Sequence, residues 1–207
     1  MKHLLIIVCL LISFNINSQT ADAVFKKGVV KYDAKDYKGA IADFTKTINQ
    51  NPKNASALYY RGNCKQKLEE YRGAIADYSQ AIKLKPTLSD AYTNRAHSKY
   101  MLLNLAGTPE EYKAIIADYS KAIELNPNDT VAYLNRGNIH EHLKDYKAAV
   151  YNFSKLCEIT PKNGEAYYYK ANAEEKAGDK EAACTDWNKA IDLGETRAQP
   201  FIAKNCN

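Results

Sequence analysis

The octapeptides Tyr37-Lys-Gly-Ala-Ile-Ala-Asp-Phe44 and Tyr71-Arg-Gly-Ala-Ile-Ala-Asp-Tyr78 lie 34 residues apart and differ at two positions. Tyr112 to Tyr119 and Tyr146 to Phe153 repeat the plan, and Lys180 to Trp187 is a looser fifth copy. Prolines mark the same period. Pro52 and Pro86 are 34 residues apart, as are Pro127 and Pro161, and the gap of 41 between Pro86 and Pro127 is one period plus seven inserted residues. Self-similarity at a fixed period of this length is the signature of a stacked-repeat architecture. Five copies with the insertion run from about Ala21 to about Arg197, so no stretch remains for a separate catalytic domain.

Within a copy the apolar residues fall at spacings of three and four, the period of a helix with one buried stripe. In the second copy Leu58, Gly62 and Leu68 mark a first helix, and Tyr71, Ala74, Ile75, Tyr78, Ala81 and Ile82 mark a second. Small residues such as Gly62, Ala74 and Ala81 allow close helix approach, and Pro86 ends the second helix. Asn54, Ser89, Thr130 and Asn163 stand where side-chain oxygens cap the first helices. One such pair cannot bury its stripe alone, so the copies must stack.

Composition agrees. Hydrophobic residues are 45% and charged residues 26%, the profile of a globular chain rather than a disordered one. Twenty-nine Lys and Arg against 24 Asp and Glu give a mildly basic chain without a basic stripe, which argues against nucleic-acid binding. There is no His-Glu-x-x-His, no Cys-x-x-Cys, no Gly-rich phosphate loop and no Gly-x-Ser-x-Gly. No catalytic residue, metal or cofactor is expected.

The amino-terminal residues read as an address. Met1-Lys2-His3 precedes the apolar run Leu4 to Ile12, too short for a membrane span of roughly 20 residues but suited to a signal peptide. Cleavage after Ser18 is the preferred reading, with sites near Ala21 or Ala23 and an uncleaved anchoring start as alternatives. Removing residues 1–18 leaves 28 basic minus 24 acidic residues, a charge of +4. The expectation is an exported protein, periplasmic or extracellular, touching membrane only through this leader.

A second recurrence suggests a structural ladder. Arg61, Arg95 and Arg136 precede the small residue of the first helix, with Lys27 and Lys170 in the end copies. Asp43, Asp77, Asp118, Asn152 and Asp186 recur on the second helices. Partly buried Arg–Asp pairs between helices are expected, because a guanidinium binds a carboxylate through two parallel hydrogen bonds. The competing reading places the arginines in a groove for an anionic ligand. The insertion, Lys99 to Glu111, lengthens both helices of the third copy, with Thr108-Pro109-Glu110-Glu111 as a capped start and Met101, Leu103 or Leu105 as an exposed contact. After the fifth copy a short helix covers the last repeat. Cys184 and Cys206 could bond there in an oxidising compartment, while Cys64 and Cys157 stay buried and reduced.

The recurring plan resembles the tetratricopeptide repeat. Its pattern of aromatic, Gly, Tyr, Ala, aromatic and Pro is met by Tyr133, Gly137, Tyr146, Ala149, Phe153 and Pro161. Departures are Leu58 for the first aromatic, Ala96 for Gly, and Glu195 where a fifth proline would fall. The resemblance implies an all-α fold: a right-handed superhelical solenoid of about five antiparallel helix pairs with a C-terminal cap. The repeats would span residues 21–54, 55–88, 89–129, 130–163 and 164–197, with the cap over 198–207. It also implies a concave groove lined from the first helices by Tyr32, Tyr59, Asn63, His97, Tyr100, Asn138, Tyr168 and Asn172. Asn side chains both donate to and accept from a peptide backbone, and Tyr offers an apolar body with a polar tip. Members that clamp a C-terminal carboxylate use Lys and Arg on this face, which holds mainly Tyr, Asn, Thr and Leu here. The Asn series has a second reading, as helix-to-helix hydrogen bonds. The function expected is non-catalytic binding of a peptide or helix of a protein partner, as an adaptor or assembly factor of the cell envelope. The alternative is a structural subunit joined through its edge or end repeats. Oligomeric state is not legible.

Overall fold

The computed structural model describes residues 21–103 and 106–206, and every regular element among them is a helix. They are α1 (residues 21–33), α2 (Tyr37–Gln50), α3 (Ala55–Lys67), α4 (Tyr71–Leu84), α5 (Ser89–Leu103) and α6 (Pro109–Leu125). There follow α7 (Thr130–His142), α8 (Tyr146–Ile159), α9 (Gly164–Ala177), α10 (Lys180–Asp192), a 3-10 turn (Thr196–Ala198) and α11 (Gln199–Asn205). The chain is an all-α helical-repeat fold that divides along its sequence into two compact units, the first ending at Gly107 and the second starting at Thr108. The expected leader and Leu105 lie outside the described residues.

In the first unit α1 and α2 share a core of Ala40 and Phe44 with Phe25, Val29 and Tyr32, and α3, α4 and α5 each pack on the helix before. The second unit repeats this through α6 to α10 and closes with α11 on α10. A ring on each second helix fills the space a missing side chain leaves on the first. A Cβ at Gly62 would meet the Tyr78 ring at 2.7 Å, and one at Gly137 would meet Phe153 at 2.6 Å. Burying such rings and their Ala neighbours is the main favourable term in a repeat.

The ends of the helices are set by local chemistry. Asn54 and Asn163 cap α3 and α9, accepting from the N–H of Ala57 at 2.9 Å and of Glu165 at 3.0 Å. Ser89 and Thr130, expected as caps, are instead the first helical residues of α5 and α7. For α7 the preceding Asp129 carboxylate takes the Ala132 N–H at 2.9 Å, a charged acceptor where the helix dipole favours one. Thr108 and Glu111 form a reciprocal capping box with Pro109 in the first position of α6. At 17 residues α6 is about a turn longer than the 14-residue α4 and α8. Within copies one, two, four and five the turn between helices uses one left-handed residue: Lys35 at φ 61°, Glu69 at 61°, Lys144 at 62° and Gly178 at 92°.

Candidate functional site

The first helices carry two sets of polar side chains, and the structure separates their roles. The first set is the ladder. The Arg61 guanidinium donates through Nε and Nη2 to both oxygens of Asp77, at 2.9 and 2.6 Å, and through Nη1 to Thr45 Oγ1 at 3.2 Å. Lys65 Nζ adds a third cation contact to Asp77 at 2.7 Å, and Asp77 is only 3% exposed. In copy four Arg136 Nε donates to Asn152 Oδ1 at 2.7 Å, and Nη1 to Ser120 Oγ at 3.0 Å. Burial lowers the Arg136 pKa from its ordinary value. Arg95 donates to Ser79 Oγ at 3.2 Å in the first unit, and Asp118 is buried on α6 in the second. At the ends lysines substitute: Lys170 reaches Asp186 at 2.6 Å, and Asp43 pairs with Lys31 at 2.7 Å. Lys27, expected on this rung, is exposed; Lys31, one helical turn on, reaches the carboxylate instead.

Each arginine thus joins its own repeat to a hydroxyl of the helix before. Thr45, Ser79 and Ser120 occupy equivalent positions, a recurrence of hydroxyl residues that the repeat spacing itself displays.

The second set faces away from the ladder. In the first unit Asn63 is 7% exposed, and its Oδ1 accepts from Tyr78 Oη at 2.8 Å and from Asn94 Nδ2 at 3.0 Å. Gln66 Nε2 donates to the Asn94 carbonyl at 3.2 Å and Ser98 Oγ at 3.0 Å, and lies 3.1 Å from His97 Nδ1. Burial lowers the His97 pKa and raises those of Tyr59 and Tyr32. Tyr32 and Tyr59 are half-buried among other rings, Tyr32 with Tyr37 and Tyr60, Tyr59 with Tyr60 and Tyr78. Tyr100, on α5, is also half-buried.

In the second unit Asn172 Oδ1 accepts from Trp187 Nε1 at 2.9 Å. Asn138 stands at the same repeat position, half-buried, and its amide has no hydrogen-bond partner among the described residues. The cause sits fifteen residues downstream in each copy. Tyr78 and Trp187 carry donors that occupy Asn63 and Asn172, whereas Phe153 offers Asn138 nothing.

Beside Asn138, one turn back on α7, Leu134 lines a cleft of about 120 Å³ with Val131, Leu156, Ala166 and Tyr169. Tyr168 is half-buried between Phe201, 5.8 Å away, and the Arg197 guanidinium, 4.9 Å from its ring centre. Arg197 also bridges Glu165 at 2.9 Å and Glu195 at 2.6 Å, and Lys176 pairs with Glu141 across α9 and α7. Neither contact is legible from spacing alone.

Cys184 and Cys206 are joined by a disulfide, with Cα atoms 5.6 Å apart. Cys64 and Cys157 are free and buried, and burial pushes both thiols up to about 12. Met101 and Leu102 are exposed at the end of α5, whereas Leu103 is half-buried. Among the described residues no group of three or more His, Cys, Asp or Glu is placed to hold a metal ion, and no helix is long and apolar enough to cross a membrane.

Comparison with known proteins bears on both fold and use. Family models of the tetratricopeptide repeat match residues 22–54, 55–88, 119–151 and 165–193. A crystal structure of MamA protein is similar at TM-score 0.75 and 24% identity, covering 87% of this chain and 95% of that one. YrrB, a repeat protein described as having an unusual peptide-binding site, is similar at TM-score 0.72 and 22% identity, covering 87% and 90%. The first repeat domain of Spaghetti (RPAP3), bound to the HSP90 peptide SRMEEVD, is similar at TM-score 0.55 and 25% identity, covering 61% and 94%. No curated protein matches the sequence.

Proposed function

Because the chain belongs to the tetratricopeptide repeat family and is a protein–protein interaction module, we propose that its second unit binds an extended peptide segment of a protein partner along α7 and α9. The observation that carries this reading is the unpartnered amide of Asn138, at a position where Asn63 and Asn172 are consumed by internal hydrogen bonds. A half-buried amide gains by pairing with a backbone N–H and C=O of a docked peptide, which meets both its valences at once. The adjacent Leu134 cleft is sized for one aliphatic side chain, and Tyr168 supplies a ring for a second contact.

Glu141 on this face is already paired with Lys176, and Arg197 lies against the Tyr168 ring, so neither sign of charge dominates and a largely neutral segment suits it. The first unit's equivalent face is tied up in the Asn63–Gln66–His97 network and works as a rigid support. The family neighbours whose names record peptide binding support the class of ligand. No catalytic role enters the proposal.

The reading extends to place. The apolar run Leu4 to Ile12 supports export, and the Cys184–Cys206 disulfide supports an oxidising compartment, periplasmic or extracellular. There the module would serve as an adaptor or assembly factor of the cell envelope.

The test is a phage-displayed random peptide library panned on the folded protein. Selected peptides should be aliphatic at one position, and Asn138→Ala should weaken their binding about tenfold, the value of one well-made hydrogen-bonded contact. Selected peptides whose binding Asn138→Ala and Tyr168→Ala both leave unchanged would place the site elsewhere.

A further inference from the structure

Each second helix seats the first helix of the next repeat, and the buried positions of the seat recur. Three residues of the incoming helix do the work. Its early alanine, Ala57, Ala91, Ala132 or Ala166, is fully buried. Seven residues on, Cys64, Ser98, Ile139 or Ala173 is no more than 1% exposed. Between them, at three of the four joints, a cation crosses: Arg61 to Thr45, Arg95 to Ser79 and Arg136 to Ser120, whereas Lys170 of α9 bonds Asp186 within its own repeat.

Helix α1 carries Ala23, Lys27 and Val30 at these three registers, and all three are exposed, Val30 at 68%. Lys27 makes no ion pair or hydrogen bond among the described residues. Helix α1 is a first helix with the residues for a seat and, among the described residues, no second helix before it to supply one.

The other end of the chain holds the reverse. On α10 the seat residues Ala183, Trp187 and Ala190 are fully buried, between α9 on one side and the last turn with α11 on the other. Phe201 of α11 stacks on Trp187 at 5.4 Å and 26°. The joint rings elsewhere match it: Phe44–Tyr60 at 5.6 Å and 30°, and Phe153–Tyr169 at 5.7 Å and 26°. Phe201 therefore stands where a first-helix ring stands. Helix α11 is only seven residues long, and Cys206 ties it to α10 through Cys184. Asn188, at the register of Thr45, Ser79 and Ser120, is exposed beside it.

We propose that α11 is a latch over a vacant first-helix seat on α10, and that opening the Cys184–Cys206 disulfide lets α1 of a second copy take that seat, joining copies head to tail. The step is a two-electron exchange with a dithiol reductant. Its thiolate attacks Cys206 Sγ, Cys184 leaves as thiolate and takes a proton, and the reductant's second thiol displaces Cys206 as its own ring disulfide closes. The protein ends with two thiols, the reductant with one disulfide. Once the tie is gone, a 13-residue helix presenting Ala23 and Val30, with Lys27 facing Asn188, competes against a seven-residue one. Such a joint is heterologous: every added copy leaves another seat open, so assembly does not close at a fixed number.

This association does not use Asn138, so its failure leaves the peptide-binding reading untouched. The test is light scattering after size exclusion on the purified chain across a range of concentrations, with and without dithiothreitol. The oxidised protein should keep the mass of one chain throughout. The reduced protein should gain mass with concentration past twice the single chain. Cys184→Ser with Cys206→Ser should do so without reductant, while Val30→Glu, a change at an exposed position, should hold the reduced protein at one chain with unchanged helicity. Reduced protein that stays single at every concentration overturns the proposal. Assembly that ignores redox state or Val30→Glu overturns it as well, and so does a dimer that never grows, because that marks α1 meeting α1. A lowered melting temperature for single-chain Val30→Glu also overturns it, since residues 1–20 would then cover the face.

Discussion

Asp77→Ala tests the ladder most directly, because the buried carboxylate collects three charged hydrogen bonds from two cations. Removing it leaves the Arg61 guanidinium with only Thr45 and leaves Lys65 without a partner, their side chains 17% and 20% exposed. Breaking a fully buried pair from one side costs about 3–5 kcal/mol, and the water that still reaches both cations reduces this to about 2–3 kcal/mol. The protein holds its own control. Copy four has Asn152 in this place, and Arg136 keeps one bond to its amide oxygen at 2.7 Å. Asp77→Asn rebuilds that arrangement and should cost about 1 kcal/mol. Arg61→Leu with Asp77→Leu removes both charges and should be cheaper than Asp77→Ala. Thermal unfolding followed at 222 nm reads the series, at about 2–4 °C per kcal/mol for a chain of this size. If Asp77→Ala melts within a degree of the parent, or Asp77→Asn falls as far as Asp77→Ala, the carboxylate is not holding the repeats together. A ligand-binding role for the arginines would then regain force.

Three further outcomes follow from single positions. Gly137→Ala brings a Cβ to 2.6 Å from the buried Phe153 ring and should cost about 1–3 kcal/mol in urea unfolding, whereas Lys144→Gly relieves a left-handed residue and should add about 1 kcal/mol. Glu174, 5% exposed beside Asp186, is raised to about 7 by burial and by that acid, despite Lys170 at 3.2 Å. A carboxyl raised in the fold binds its proton more tightly there than in the unfolded chain. Its contribution is therefore complete below the ordinary Glu range, near pH 4, and is lost as pH rises through 7. Glu174→Gln should flatten this fall, so the variant gains on the parent by about 1–3 kcal/mol between pH 5 and pH 8. Parallel stability curves would show that Glu174 does not titrate in that window.

The helix pairs were legible because one text recurs with its phase intact, so every copy votes on the same register. Tyr78, Phe44 and Phe153 could be placed in the core from that rhythm alone, and the arginine–carboxylate recurrence pointed to Arg61 and Asp77. What failed was whatever varies between copies. Lys31 replaces Lys27 because a lysine one turn away reaches Asp43 equally well, and spacing cannot tell two flexible cations apart. The Asn series carried two readings, groove residues or helix-to-helix hydrogen bonds, and the second describes Asn63 and Asn172 while Asn138 stands apart. Their state depends on whether the ring fifteen residues on carries a donor, which needs the helix-to-helix geometry before it means anything. Asn94, the second donor to Asn63, belongs to the next copy and could be assigned only after the helices were docked.

The buried thiols bear on how the molecule is made. Disulfide exchange runs through the thiolate, and at about 12 Cys64 and Cys157 hold their protons at any ambient acidity. After their helices dock, these sulfurs are chemically silent toward the bridge at the far end of the chain. The four cysteines of the described residues can nonetheless pass through an oxidising medium without scrambling, provided docking outruns oxidation. Wrong bonds are then confined to the newborn, still-open polypeptide, and the pace of neighbour-to-neighbour closure sets how many molecules carry them.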